Sequence, residues 1–442
     1  MAITKIQSGA FPADVITTAA IDDASVTHAK LHATMDLSSK TVTLPTLSSL
    51  NVNGTIKLDG NYPVGTGNVA LGDNALVDSS LSGGYNTAIG QEALNSNTSG
   101  SVNTAIGNGA LYLNTTGASN ISVGSNSLAD NTTGGSNVAV GRDALGNNTT
   151  ASNNTAVGYQ AGNSNTTGTR MSALGYQALY ANTTGNYNTA MGYAALDANT
   201  TASYNTALGH FALSSLVGGG ATTNTAVGSD AMANTTTGTN NVALGSSALA
   251  ANTTAPNNTA VGYQALYANT TGDTNVAIGK DSMKANTTGT NNTAVGPRSL
   301  QSNTASANNV AVGDLALGNN TTASNNVAIG TNALLAYQTG GDNVAVGMNA
   351  GYTLNGNGNC TFLGRAAGFD TTGGNNTFVG YSSGAGVTSG AKNTIVGLFN
   401  GNQGGLDIRT ASNHIVLSDG DGNPRLIVNS SGNVGIGTSS PS

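Results

Sequence analysis

The chain has 442 residues and a formal net charge of −7, and only 7% of its residues are charged and 5% aromatic. Such a composition lacks the basic footprint that a nucleic-acid-binding protein needs, so we predict no nucleic-acid partner. The 62 glycines and the lack of Trp resemble a low-complexity chain, but the regularly spaced aliphatic residues argue against disorder.

Residues 1–45 lack the pattern that fills most of the chain, and we expect a separate N-terminal segment there. Residues 26–33 are typical of a short helix, on which His28 and His32 would share one face as a metal pair does. No third ligand is near in sequence. Surface or interface histidines are therefore the favoured interpretation, and we predict no metal and no cofactor.

The start of the chain has no charged segment followed by an apolar run, so no secretory signal is predicted. No stretch approaches eighteen apolar residues, so we predict no membrane insertion and a soluble protein made in the cytoplasm. Residues 46–67 alternate apolar and polar side chains, which predicts strands that form a neck before the next region.

Residues 68–401 consist of twenty copies of one stretch, seen most clearly in Asn258–Thr274. Sixteen of the nineteen steps between the central glycines are seventeen residues long, which is typical of a solenoid. These glycines define position 0 of each copy, and they are Gly72, Gly90, Gly107, Gly124, Gly141, Gly158, Gly175, Gly192, Gly209, Gly228, Gly245, Gly262, Gly279, Gly296, Gly313, Gly330, Gly347, Gly364, Gly380 and Gly397.

The five residues that end at each central glycine predict a short strand. Position −4 is almost always Asn, −2 is usually Ala, and −1 is Val, Ile, Leu or Met. Copies stacked in register would pair these strands at about 4.8 Å, giving a rod of roughly 95 Å. The Asn side chains at −4 would then form a hydrogen-bonded ladder. Position 0 requires either a positive φ or a backbone approach too close for a Cβ atom.

A second segment follows each glycine, with Ala or Ser at +3 and Leu or Met at +4 in fifteen copies. The other five copies have Gly at +4, namely Gly162, Gly351, Gly368, Gly384 and Gly401. The pattern fits a bent strand or a single helical turn, and we favour the strand. A polar turn, usually Asn-Thr-Thr-Gly, completes the copy. Two extra residues near Ser214–Thr223 predict a surface loop.

One copy supplies one medium aliphatic residue, one Leu or Met and two alanines. This is too little apolar area to offset the entropy of ordering a single coil. The alanines and the glycine suggest positions where another chain comes close. We therefore predict an obligate oligomer whose apolar seams face one axis, with a trimer as the favoured closed arrangement.

Position +1 varies most among the copies, and several of them have Tyr there. Stacked tyrosines would make an aromatic strip, which either supports the rod or binds sugars. We therefore treat Tyr159, Tyr176, Tyr193 and Tyr263 as candidate receptor contacts, although a purely structural role is favoured.

The single cysteine, Cys360, replaces Asn at −4, and we interpret it as a small buried substitute. From residue 402 the pattern changes, and residues 402–442 predict two strands around a Gly-rich turn that form a tip or collar. Asp419, Asp421 and Asn423 have the spacing of a calcium loop, but Ser430 replaces the Glu that such a loop needs. We predict no calcium site.

Catalytic groups are scarce. Glu92 is the only glutamate, whereas a glycosidase needs two positioned carboxylates. Adjacent coils could bring Asp273 close to Asp281, but no grouping stands out. His210 and His414 are isolated, so no Ser-His-Asp site is predicted. We predict that the protein is not an enzyme.

The Asn-x-Ala-Val/Ile-Gly strands resemble the β-roll heads of trimeric autotransporter adhesins. The tandem Asn-Thr-Ala-Val-Gly-Tyr-Gln-Ala-Leu copies more closely resemble shafts of bacteriophage tail fibres and similar virion appendages. Residues 432–441 resemble the segment that precedes the self-cleaving chaperone of phage fibres and spikes. The sequence ends without that chaperone, so trimerisation would rely on a cleaved segment, a separate protein or neither.

This resemblance implies an all-β fold, a homotrimeric left-handed parallel β-roll located on the virion. Residues 1–45 would bind a virion tail or capsid protein, and the far end would contact a host cell-surface glycan or protein. The implied function is a structural and adhesive fibre for host attachment. A secreted bacterial trimeric surface adhesin is the alternative, and a polysaccharide depolymerase is a remote one.

Overall fold

The computed structural model describes residues 66–78 and 80–441. The predicted helix with His28 and His32, and nearly all of the predicted neck, lie outside these residues. The described part is an all-β solenoid of about twenty coils without any helix. The predicted repeat architecture is therefore confirmed, and the copies defined by the central glycines are its coils.

Each coil contributes one three-residue strand at positions −3 to −1, shorter than the five residues predicted. The strands of the coils are β1 (Val69–Leu71), β2 (Thr87–Ile89), β3 (Thr104–Ile106), β4 (Ile121–Val123), β5 (Val138–Val140), β6 (Thr155–Val157), β7 (Ser172–Leu174), β8 (Thr189–Met191), β10 (Thr206–Leu208), β12 (Thr225–Val227), β13 (Val242–Leu244), β14 (Thr259–Val261), β15 (Val276–Ile278), β16 (Thr293–Val295), β17 (Val310–Val312), β18 (Val327–Ile329), β19 (Val344–Val346), β20 (Thr361–Leu363), β21 (Thr377–Val379) and β22 (Thr394–Val396).

The remaining described strands are β9 (Thr201–Ser203), β11 (Gly219–Ala221), β23 (Asn402–Gln403), β24 (Leu406–Asp407), β25 (Ile415–Ser418), β26 (Pro424–Val428) and β27 (Val434–Ile436). Strand β11 pairs in parallel with β9, so the predicted loop near residue 219 is partly a strand. Strands β23 and β24 form a small antiparallel pair.

All other strands join one 23-stranded sheet. Consecutive coils pair in parallel and in register, as Ala88 with Ala105 and Ala243 with Ala260 show. Strand β25 continues the parallel sheet beside β22, and β25, β26 and β27 then form an antiparallel meander. The hairpin predicted near residue 420 is therefore present, with a third strand added.

The central glycines satisfy both conditions that the sequence predicted. Gly192 has a φ of 140°, and a Cβ atom there would lie 2.3 Å from the carbonyl oxygen of Gly209 in the next coil. Any side chain at position 0 would therefore meet both an unfavourable backbone conformation and the neighbouring backbone.

The second segment is neither a strand nor a helical turn, so the favoured prediction of a strand is wrong. Positions +2 and +4 take left-handed conformations, as in Gln177 and Leu179, which both have a φ of 53°. This backbone buries the consecutive side chains of Ala178 and Leu179 completely, whereas a strand would point them to opposite faces. Inter-coil bonds still form, since the Leu179 N–H donates to Ala195 O at 3.0 Å.

The alanines at −2 and +3 face the interior of their own coil, where nearly all are fully buried. The predicted approach of another chain at the alanines and the glycines is therefore wrong. The interior of most coils holds mainly Ala, Leu and Asn side chains, and the close neighbour of each glycine belongs to the same chain.

The predicted ladder of Asn side chains at −4 is confirmed, and its main bond runs from backbone to side chain. The Asn154 N–H donates to Asn137 Oδ1 at 3.0 Å, and Asn137 Nδ2 donates to Ala151 O at 2.9 Å. A second buried ladder occupies position +7, where Asn148 Nδ2 donates to Asn131 Oδ1 at 2.8 Å. These amides satisfy backbone groups that would otherwise be buried without partners.

Four of the five glycines at +4 make room for larger side chains. A Cβ atom on Gly351 or Gly368 would lie 2.7 or 2.6 Å from the ring of Phe362, and one on Gly384 would lie 2.4 Å from that of Phe378. Likewise, a Cβ atom on Gly162 would lie 2.7 Å from Met171 Cε. A large side chain from −2 or −4 therefore replaces the usual Leu at +4, which conserves the volume of the interior.

Candidate assembly and host-contact surfaces

The outer face of the long sheet carries the side chains at −3 and −1, because neighbouring residues of a strand point to opposite faces. Position −3 holds only Thr, Ser, Val or Ile, and −1 holds only Val, Ile, Leu or Met. No charge occurs in these two columns. In the meander, Leu417, Leu426 and Ile436 continue the −1 column by their register. We call these two columns the strand face.

Side chains of the strand face are exposed or half-buried. Leu71 and Leu244 are each 48% exposed at the −1 position, and Ile436 in the last strand is 80% exposed. Of the 34 large hydrophobic side chains exposed in residues 66–78 and 80–441, 28 lie on the strand face or at −5 and +1, which flank it in sequence. The other six are Val77, Tyr112, Leu113, Tyr180, Val217 and Tyr267. Exposed apolar area is thus concentrated along one side of the coils.

The aromatic column at +1 is a continuous stack. The ring centroids of Tyr159 and Tyr176 are 5.2 Å apart, and those of Tyr176 and Tyr193 are 4.9 Å apart. His210 stacks on Tyr193 at 5.4 Å, and the Arg142 guanidinium lies 5.9 Å from the centre of the Tyr159 ring. The structure therefore brings together three of the four candidate receptor contacts.

A second aromatic column lies at −5 and was missed by the sequence reasoning. Tyr187 stacks on Tyr204 with centroids 4.9 Å apart and planes 8° from parallel. Arg170 lies over Tyr187 at 5.2 Å and donates a hydrogen bond to its hydroxyl. Tyr85 also lies at −5, and it is 67% exposed. The sequence does contain a signal for this column, because Tyr187 and Tyr204 are seventeen residues apart and each directly precedes a −4 Asn.

Stacking decides which part of each ring meets solvent. Both faces of the Tyr176 ring are covered by its neighbours, so only its edge and hydroxyl are available. Tyr263 forms no ring stack among the described residues and is 50% exposed. Because sugars pack on the face of an aromatic ring, Tyr263 suits such a contact better than Tyr176, which is stacked on both faces.

An open groove of about 580 Å³ lies on the second segments of three adjacent coils. Tyr267, Lys284 and Gln301 at +5 line it together with Ala268, Ala285 and Ser302 at +6. Lys284 Nζ is 3.3 Å from Asp281 Oδ1, so a cation, a carboxylate, an amide and an aromatic ring lie close together. This groove shares the Gly262 coil with Tyr263, and the sequence reasoning did not identify it.

The Asp419 turn is occupied by protein donors. Backbone N–H groups of Asn423 and Asp421 donate to Asp419 Oδ1 at 2.8 and 3.1 Å, and Arg425 pairs with Oδ2. The Asn423 N–H and the Arg425 guanidinium lower the pKa of Asp419 to about 2. The spacing that suggested calcium is thus that of a turn closed by an ion pair.

Cys360 occupies the −4 ladder as a buried thiol. The Asn376 N–H contacts its Sγ at 3.4 Å, where an Asn oxygen accepts in other coils. Burial raises the pKa of this thiol above its ordinary value, which disfavours the reactive thiolate.

No group of three or more His, Cys, Asp or Glu side chains suited to a metal ion occurs within residues 66–78 and 80–441. His210 lies in the aromatic stack, and the Asp281 carboxylate pairs with Lys284 at 3.3 Å. In the same part of the chain, no helix is long and apolar enough to cross a bilayer.

No protein-family model matches this chain, and no curated protein is significantly similar to it. Function must therefore be argued from the surfaces themselves.

Proposed function

We propose that this chain forms the shaft of a homotrimeric, left-handed β-roll fibre that belongs to a bacteriophage virion and attaches it to host cells. The observation that carries the proposal is the strand face, which is exposed, uncharged and continuous from β1 to the last strand. The phage setting and the handedness come from the resemblance of the repeats to fibre shafts.

The area of the strand face supports assembly. Twenty coils at about 4.8 Å and strands about 10 Å long give on the order of 900 Å² of apolar and Thr surface. Monomeric proteins rarely expose apolar patches larger than a few hundred Å². A stable interface covers about 800 Å² on each partner, so this face has the size of a complete interface.

Identical copies suit this face best. A second copy presents columns with the same 4.8 Å period, so its ridges and grooves match at every coil. Three copies that turn their strand faces toward one axis would cover all three faces in a closed ring. The resulting rod would be stiff, because each chain is a continuous sheet held by buried amide ladders.

Adhesion would depend on many weak contacts, since the groove beside Tyr267 is open. Three chains in each fibre, and several fibres on each particle, multiply the effective affinity for a repeated cell-surface ligand. The unstacked ring of Tyr263, the groove beside Tyr267 and the tip at residues 402–441 supply candidate contacts. Residues 1–45 would bind the virion tail or capsid protein.

Immunoelectron microscopy with an antibody against residues 1–45 tests the setting. Label at the base of fibres on phage particles is the expected result. Label on the bacterial cell surface, with none on particles, would contradict the phage fibre and would support a secreted adhesin.

Competition for adsorption tests the adhesive role. Purified protein should slow particle adsorption to host cells, and the double variant Tyr263→Ser/Tyr267→Ala should compete at least tenfold less well. Tyr180→Ala is the matched control, because Tyr180 occupies the same +5 position outside the groove. Full competition by the double variant would exclude the groove as a host contact. Release of oligosaccharides from host capsule would instead show a depolymerase.

A further inference from the structure

Three consecutive coils carry an aromatic or Arg side chain on both flanks of the strand face. These coils have Gly175, Gly192 and Gly209 at position 0. Their −5 residues are Arg170, Tyr187 and Tyr204, and their +1 residues are Tyr176, Tyr193 and His210. No other coil described by the structure has such residues at both positions.

Each of the two columns is preorganised within one chain. Tyr187 and Tyr204 are stacked, as are Tyr176, Tyr193 and His210, with centroid distances between 4.9 and 5.4 Å. Stacking fixes the side chains and leaves their edges and hydroxyls exposed. Tyr204 at −5 is 52% exposed and Tyr193 at +1 is 47% exposed, so both columns retain substantial uncovered surface.

We infer that these columns form an intersubunit clasp, in which the +1 column of one copy packs against the −5 column of the next. This inference rests on the trimer proposed above. In any closed ring of three or more copies, contacts are heterologous, so one flank of each strand face meets the opposite flank of its neighbour. The two flanks therefore have to be complementary to each other.

The chemistry of the flanks fits such a contact. At equal height along the rod, Tyr193 would meet Tyr187, His210 would meet Tyr204, and Tyr176 would meet Arg170. Arg170 uses one amino group for the Tyr187 hydroxyl of its own chain, which leaves other N–H donors for a neighbouring hydroxyl. Neither column carries a carboxylate, and Tyr and Arg are enriched at interface centres.

Disulfide trapping tests the clasp, using Tyr187→Cys/Tyr193→Cys in a Cys360→Asn background. The two positions flank one strand at roughly 15 Å within a chain, whereas a disulfide requires Cα atoms within about 7 Å. A bond between them must therefore join two chains. We expect the oxidised protein to run as a covalent trimer on a denaturing gel without reductant.

The single variants and Tyr180→Cys/Tyr187→Cys are the controls, and all three should run as single chains. Covalent dimers from Tyr193→Cys alone would show that like columns meet, which would overturn the clasp. A particle with the mass of a trimer that gives no crosslink would also overturn it while leaving the trimer intact. A monomer in solution would instead refute the proposed assembly itself.

A photo-crosslinker provides a second measurement if the cysteine variants fail to fold. Benzoylphenylalanine in place of Tyr193 should capture a peptide of the neighbouring chain that contains Tyr187, as identified by mass spectrometry. Capture of a peptide from the second segments would place a different surface at the interface and overturn the clasp.

Discussion

Two regions of the solenoid fill the same coil in different ways. In residues 86–320 most coils carry Asn at both −4 and +7, with Ala at −2 and Leu at +4. In residues 337–399 the −4 position remains Asn or Cys, but +7 becomes Tyr337, Leu354, Thr371 and Val387. Phe362 and Phe378 enter the interior there, opposite glycines at +4.

The −4 ladder is kept in both regions, whereas the +7 ladder is not. The amide at −4 accepts a backbone N–H from the next coil, and a buried N–H without a partner is costly. The amide at +7 bonds mainly to its own neighbours and to a carbonyl that already has another donor. Apolar packing replaces the +7 ladder over several consecutive coils, whereas among the described coils an apolar side chain interrupts the −4 ladder only at Met171.

The largest loss of stability is expected from a substitution that disrupts the aromatic packing. Phe378→Ala should reduce the free energy of unfolding by about 3–5 kcal/mol, because it leaves a cavity next to Gly384. Adding Gly384→Leu recreates the Ala and Leu pair of residues 86–320 and should recover most of that loss. Gly384 has a φ of 60°, which Leu adopts in other coils at +4, so space alone opposes Leu in the native chain.

Denaturant unfolding of the four proteins in this cycle measures the coupling. Gly384→Leu alone should be strongly destabilised, since its Cβ atom would lie 2.4 Å from the Phe378 ring. If the effects of the two changes simply add, the two residues do not share one volume and the account of the aromatic region is wrong.

The two ladders should respond differently to the same change. Asn137→Ala leaves the Asn154 N–H without its acceptor and should cost about 1–3 kcal/mol. Asn131→Ala should cost at least about 1 kcal/mol less, because Asn148 Nδ2 keeps its bond to Ala151 O. Both changes remove a buried Asn, so each is the control for the other in parallel unfolding curves. Equal losses would contradict the distinction between the ladders.

A smaller effect is expected at Asp197, the +5 residue of the Gly192 coil. Burial raises the pKa of its carboxyl, and its Oδ1 has no hydrogen-bond partner within the described residues. At the same +5 position, Asn163 Nδ2 donates to Asp143 O at 2.9 Å. Asp197→Asn should therefore add about 1 kcal/mol to stability at pH 7.

The sign of this effect can be checked with pH. A carboxyl with a raised folded pKa favours the folded state only while it is protonated, so the Asp form loses stability as pH rises through that pKa. The advantage of Asp197→Asn should be present at pH 7, shrink as pH falls through the raised pKa, and be lost below about pH 4. An advantage that is independent of pH would assign the gain to something other than the carboxylate.

The smallest effect concerns Tyr337, where the ladder at +7 gives way to an aromatic residue. Burial raises the pKa of its phenol to about 12. Between pH 10 and this value the unfolded chain releases a proton that the folded chain retains, so stability should fall as pH rises. Tyr337→Phe should reduce the slope in alkaline unfolding curves, and Tyr112→Phe, which changes an exposed ring, is the matched control.

The features that could be predicted from the sequence are those that recur from coil to coil and are set by the backbone. The seventeen-residue period, the parallel register, the −4 ladder and the requirements of the central glycines all follow from residues that recur in nearly every coil. The stack of Tyr159, Tyr176 and Tyr193 was also predictable, because equal positions in successive coils lie one strand spacing apart.

The second segment could not be predicted, because left-handed conformations at residues such as Gln177 and Leu179 have no marker in their side chains. The same error led to the wrong prediction that the alanine side chains face another chain, because their direction depends on how the segment folds back over the strand. The replacement of Leu by Gly384 beside Phe378 was visible in the sequence as two changes in one coil, and reading those changes together would have predicted the core.

Light scattering of the purified chain, with matched variants, measures whether three copies assemble through the strand face. We expect a particle with three times the 43.4 kDa mass of one chain. The double variant Ile278→Glu/Ile329→Glu places charges on the strand face and should give single chains, whereas Tyr112→Glu, away from that face, should not change the mass. A wild-type protein that is folded and stable at the mass of one chain would contradict the account.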